Sequence, residues 1–116
     1  MEEHLVQIRD HQKESWNKFS GGWRKWDEFV MDWLGPTGDE MIRYLDLKTS
    51  DKVLDVAAGT GEPGLTIAGI VKNGKVVITD LAEIMLDVAK ESAGKKGITN
   101  YETVICDVCE MPFADE

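Results

Sequence analysis

Several shortages in this chain each remove a class of function. With two cysteines and two histidines in 116 residues, soft metal ligands are scarce. His4 and His11 precede Cys106 and Cys109 by roughly a hundred positions, so a closed four-ligand zinc site is not expected. The Cys106-x-x-Cys109 pair reads instead as two incidental thiols at a strand end in a reducing compartment. No apolar run approaches the roughly 18 to 20 residues that span a bilayer, and the opening MEEHLVQIRDHQKE is too charged for a secretory signal. Basic residues are outnumbered, 13 against 22 acidic, giving a formal charge of 13 − 22 = −9. Such a surface repels phosphate backbones and anionic headgroups, so neither nucleic acid nor a membrane is expected as partner. There is no internal repeat or low-complexity tract. What remains is a cytoplasmic chain of at most one domain, able to bury a core of moderate size.

Two patterns are present, and they differ in period. From residue 2 to about 34, Leu5, Ile8, Trp16, Phe19, Trp23, Trp26, Val30 and Trp33 recur at steps of three and four, the spacing of one helix face. Gly21 and Gly22 are expected to kink or divide that helix. All four tryptophans lie here; the stripe reads as core, with one end free to line a cleft as a lid. GPTGDEM is expected to break the chain at Pro36, with Thr37 or Asp39 capping a short helix from 38 to 46. Beyond Leu47 short apolar runs alternate with helical ones: DKVLDVA, GEPGLTIAGIVK, VVITD, LAEIMLDVAKESAGKKG and YETVICD. Pro63 is tolerated in a first helical turn, and Gly94 or Gly97 ends the longer helix. This alternation predicts an α/β unit with a parallel sheet and right-handed crossovers, preceded by a helical segment over 1–46.

The chemistry gathers at the strand ends, where ligands of open parallel sheets bind. Gly59, Gly61 and Gly64 stand in the spacing G-x-G-x-x-G between the first strand and its helix, and Asp80 follows Gly59 by 21 residues. That separation suits a carboxylate accepting both hydroxyls of a ribose. A pyrophosphate loop would follow an apolar strand and offer only N–H groups. Here Asp55 stands four residues before Gly59 and Glu62 occupies the helix start, so a phosphate is repelled and a cation favoured. S-adenosylmethionine carries a ribose, an ammonium and a sulfonium, and no phosphate. A nicotinamide-dependent oxidoreductase is disfavoured on the same ground.

VLDVAAGTGEPGL resembles the first motif of the class I S-adenosylmethionine-dependent methyltransferases, an acidic residue, small residues and then G-x-G. VVITDLAEIMLDVAKESA resembles their second, an aspartate ending strand two and a helix of the form x-x-M-L-x-x-A. VICDVCEMPFADE resembles the third, an aspartate leading into P-F-x-D. The likeness runs from about Leu45 to the last residue and is nearest in character to the small-molecule methyltransferases of ubiquinone and menaquinone biosynthesis.

The resemblance implies a Rossmann-like methyltransferase fold, with residues 47–116 as its N-terminal half: three parallel strands in the order 3-2-1. It implies that Asp55, directly or through water, and the Ala57, Gly59, Thr60 and Gly61 backbone hold the methionine end of the cofactor. Asp80 would bind the ribose, Leu81 and Val108 would flank the adenine with Met85 nearby, and Asp107 would accept from the adenine amino group. Ala57 departs from the glycine common there and leaves the ligand slightly less room. The cofactor would be S-adenosylmethionine, with S-adenosylhomocysteine as product, and the partner a small, apolar methyl acceptor. No residue stands out as catalytic base; His4 and His11, seven apart, read as a solvated face. In the complete family fold a fourth strand covers strand one. With that edge open, a homo-oligomer is expected through it or through the aromatic N-terminal helices. The alternative is a non-catalytic half-domain that binds cofactor weakly or not at all.

Overall fold

A computed structural model describes residues 2–115. Two long helices, α1 (Glu3–Lys25) and α2 (Asp27–Leu45), precede an alternating unit: β1 (Lys52–Asp55), α3 (Gly64–Ile70), β2 (Lys75–Asp80), α4 (Glu83–Lys96) and β3 (Tyr101–Ile105). A single 3-10 turn, Val108–Glu110, follows β3. The sheet is parallel, with β2 between β1 and β3. Val53 pairs with Val76 and Asp55 with Ile78 on one side of β2; Ile78 pairs with Thr103 and Asp80 with Ile105 on the other. That register brings the carboxyl ends of all three strands to one edge, as the α/β alternation predicts.

Alternate residues of β2 explain where the core sits. Val76 and Ile78 are fully buried, and with Leu65 and Ile67 of α3, Val71 just beyond it and Leu86 of α4 they belong to one cluster. Asn100 fastens it: its Nδ2 donates to the carbonyls of Ala68 (3.0 Å) and Val71 (2.9 Å), which end α3 without helical partners. Gly97, in the left-handed conformation (φ 68°), ends α4, one of the two glycines expected there. Pro63 is the residue before the first turn of α3 and not within it.

The N-terminal segment departs from expectation in three ways. Gly21 and Gly22 lie inside α1, and the division falls at Trp26 (φ −102°, ψ 11°). The two glycines each cost about 1 kcal/mol of helix propensity, but Ser20 beside them is buried and α1 is fastened to α4, so the helix continues. Arg24 donates to Glu91 at 2.8 Å and the Ile84 N–H to Asn17 Oδ1 at 3.0 Å. Secondly, α2 runs through Pro36 to Leu45 without a break, and neither Thr37 nor Asp39 caps a separate helix. Proline clashes with the Cβ of the residue before it in a helix; that residue is Gly35, which has none. The helix ends at Asp46 in the left-handed conformation (φ 47°, ψ 54°). Thirdly, the aromatic stripe is not core. Trp16, Trp23, Trp26 and Trp33 are all exposed, Trp33 to 81%, and no residue of α2 is buried. Period fixes which residues share a face, but burial needs a partner for that face. Among the described residues no helix is long and apolar enough to cross a membrane.

Candidate functional site

The site is built where β1 gives way to α3. Ala57 (φ 54°) and Gly59 (φ 58°) both take left-handed backbone, and Gly61 lies at φ 108°. This winds Val56–Gly61 into a tight loop whose Ala58 N–H donates to the Thr79 carbonyl at 2.9 Å. Only Ala57 takes this conformation with a Cβ, at a cost of about 1 kcal/mol or more, which gives a structural reason for the glycine common at that position.

Asp55, the last residue of β1, points its carboxylate at α3: Oδ2 accepts from the Gly64 N–H at 3.0 Å. The approach requires glycine, because a Cβ on Gly64 would lie 2.5 Å from that oxygen. Burial pushes the carboxyl up to about 6, opposed by the Gly64 hydrogen bond and reinforced by the Glu62 and Asp80 carboxylates. The Asp55 carbonyl in turn accepts from the buried Thr79 hydroxyl at 2.9 Å.

Asp80 joins the first two strand ends. Its Oδ2 accepts from the Gly59 N–H and its Oδ1 from the Ala82 N–H, both at 2.9 Å. A carboxylate has about four acceptor positions, so each oxygen retains capacity for an outside hydroxyl. Asp107 caps the turn after β3, its Oδ1 accepting from the Cys109 N–H at 2.9 Å. That is the plain structural role open to an aspartate at such a place, and it is compatible with a second oxygen facing a ligand.

A cavity of about 540 Å³ lies above these ends, within the range of small-molecule sites. Ala57, Gly59, Thr60, Asp80, Leu81, Met85, Asp107 and Val108 all line it. Asp55 and Gly61 do not line it; they stand behind the loop, Asp55 on the start of α3 and Gly61 packed 3.0 Å, measured from an ideal Cβ, from Ala89 and Leu65. Cys106 lines the cavity and Cys109 is exposed; both are free. His4 and His11 are exposed and off the wall.

The opposite wall comes from the N-terminal helices, where the sequence left one end of the aromatic stripe free to line a cleft, although the motifs name none of its residues. Trp16 and Trp23, with ring centroids 5.8 Å apart, and Asp27, Val30 and Met31 close it from α1 and α2. Asp27 Oδ1 accepts from the Thr60 hydroxyl at 2.6 Å, tying α2 to the glycine loop. An acidic residue opening α2 is a faint signal of this contact, but its partner 33 residues later is set by tertiary packing. Glu62, also on the wall, is paired with Lys96 at 2.9 Å and accepts from Thr66. The wall therefore carries Asp27, Glu62, Asp80 and Asp107, with one cation spent on Glu62. Such a cleft binds hydroxyls and cationic centres and repels phosphate. Among the described residues no cluster of three metal-ligating side chains occurs.

Residues 53–116 match the pattern of a methyltransferase domain family. The chain is 36% identical over 77 residues to a demethylmenaquinone methyltransferase of Bacillus cereus, an alignment covering 66% of this chain and 32% of the relative. It thus spans about a third of the length of the curated relatives it matches. A SAM-dependent methyltransferase from Aquifex aeolicus superposes with a TM-score of 0.60 at 29% identity, over 67% of this chain and 42% of its own. A phosphoethanolamine N-methyltransferase of Haemonchus contortus superposes over 90% of this chain and 22% of its own, with a TM-score of 0.73 at 21% identity. That last likeness is one of fold, and it extends into the N-terminal helices.

Proposed function

The chain belongs to the class I S-adenosylmethionine-dependent methyltransferases, and on that premise we propose that its cleft holds S-adenosylmethionine and serves methyl transfer to a small, apolar acceptor. One observation carries the reading: the parallel register gathers the left-handed loop, Asp80 and Asp107 onto a single acidic cavity. When bound, the cofactor supplies a methyl group on a sulfonium and leaves as S-adenosylhomocysteine. Asp80, held by two N–H groups, accepts the ribose hydroxyls. Leu81 and Val108 flank the adenine, and Asp107 accepts from its amino group. Ala57, Gly59 and Thr60 present backbone to the methionine end, while Asp55 acts from behind by fixing Gly64 and the start of α3. Trp16, Trp23 and Met31 cover the cavity, so residues 1–46 act as a cap on 47–116 and exclude water during transfer. The relative's own acceptor, by its name, is demethylmenaquinone, which agrees with the apolar character of the cap. The charge and the free thiols agree with a cytoplasmic setting.

Calorimetric titration tests this. S-adenosylhomocysteine should bind, NAD should not, and Asp80→Ala should weaken the first at least tenfold. Absence of S-adenosylhomocysteine binding would overturn the reading in favour of a non-catalytic half-domain; NAD binding would favour an oxidoreductase.

A second reading concerns assembly. Among the described strands β1 lies at an edge of the sheet, and Leu54 and Val56 are exposed beside it. An open edge and an exposed aromatic face invite pairing with another copy. Light scattering at micromolar concentration should then give a dimer mass, and a clean monomer would end this reading.

A further inference from the structure

A second cavity, of about 440 Å³, lies between α2 and the start of α3. It adjoins the first: Met31, Leu34 and Glu62 line both. Its wall is otherwise mainly apolar, with Met41 and Ile42 supplied by α2 and Pro63 by the start of α3. Its one cation, Lys96, is spent on Glu62 at 2.9 Å, which leaves Asp39, at an exposed position on the wall, as its one charge outside an ion pair. Gly35 and Gly38 contribute no side chain to its wall; a Cβ on Gly38 would meet only Pro63 Cβ, at an ordinary 3.7 Å.

We propose that this cavity receives the apolar body of the methyl acceptor, a neutral ring system or short hydrocarbon chain, with its reacting end at the border marked by Met31, Leu34 and Glu62. The assignment rests on the reading that the first cavity holds the cofactor. Three features carry it: the shared border, a volume suited to a small molecule, and an apolar wall whose cation is already paired. A first cavity with four carboxylates and a mainly apolar second one divide the cleft between a cationic nucleoside and an uncharged acceptor.

The probe for the test is N-phenyl-1-naphthylamine, a neutral compound that fluoresces in apolar surroundings, added to the full chain with and without saturating S-adenosylhomocysteine. One saturable site is expected, with affinity changed less than twofold by S-adenosylhomocysteine. Gly38→Leu fills the cavity with a better helix former, and Met41→Glu places a carboxylate on its wall at a half-exposed position. Each should weaken the probe at least tenfold while leaving the calorimetric affinity for S-adenosylhomocysteine within twofold. Trp33→Ala, on the outer surface, should change neither. Absence of saturable binding, displacement by S-adenosylhomocysteine, loss on Trp33→Ala, or wild-type affinity in both cavity variants would each overturn the proposal. Failure of S-adenosylhomocysteine itself to bind, with the probe behaving as expected, would instead strike at the cofactor reading.

Discussion

The two halves of this molecule solve the burial problem differently. In the sheet unit, β2 sends Val76 and Ile78 inward against Leu65 and Leu86, and all four are essentially inaccessible. In the helix pair, α1 buries only Ser20 and α2 buries nothing, although every tryptophan of the protein lies there. The sheet unit is held by hydrophobic contact, while the helix pair joins it through a few polar contacts, Asn17 to Ile84, Arg24 to Glu91 and Thr60 to Asp27, with Ile42 of α2 packed on the core beside them. A densely packed core opens only at a free energy near that of global unfolding, whereas a segment with few buried apolar contacts opens at a lower one.

Substitutions can break or sharpen that contrast. The largest expected effect is Leu65→Ala, at 1% exposure, which should cost about 3 kcal/mol in urea unfolding through lost transfer energy and a cavity. Close behind, with opposite sign, is Asp55→Asn. The native carboxyl keeps its proton up to about pH 6, against 3.8 for an ordinary aspartate. Between those values the native state binds more protons than the unfolded one, so the contribution of Asp55 to stability falls as pH rises from about 4 to about 6 and stays low above. Asn removes the desolvated charge and should raise stability at pH 7 by on the order of 2 kcal/mol, with the gain vanishing near pH 4. Urea midpoints of both proteins across that range check the sign. Ala57→Gly follows, relieving left-handed backbone for a gain of about 0.5 to 1 kcal/mol in thermal unfolding. The smallest is Trp33→Ala: at 81% exposure it should move stability by less than about 0.5 kcal/mol. A loss comparable to that of Leu65→Ala would show that the helix pair is not a loosely fastened cap.

The sequence makes the sheet unit legible because its signals are local. The short β-branched run VVITD, period 3.6 in LAEIMLDVAK and Gly97 as a stop specify β2, α4 and its end without reference to other segments. The departures all depend on a distant or neighbouring partner. Pro36 reads as a breaker unless Gly35 is credited with removing the clash. The tryptophans read as core unless it is asked what covers them. Asp55 reads as a ligand for the methionine end, yet its nearest donor is the Gly64 N–H nine residues on, a contact formed only when α3 folds back on β1. Thr60 is part of the glycine motif, but its link to Asp27 crosses from one half of the protein to the other. Tertiary contacts of this kind leave no periodic trace.

The polar contacts of the helix pair also run in one direction along the chain. Asn17, Arg24 and Asp27 find their partners at Ile84, Glu91 and Thr60, all of which lie later in the sequence. During synthesis the four tryptophans emerge before the sheet unit, at some 5 to 20 residues per second, and wait several seconds for the surfaces that anchor their helices. The stretch that lines the cleft in the finished protein thus has, in the nascent one, none of the surfaces that anchor it. That is the form in which a chaperone would meet it, and the form most exposed to aggregation.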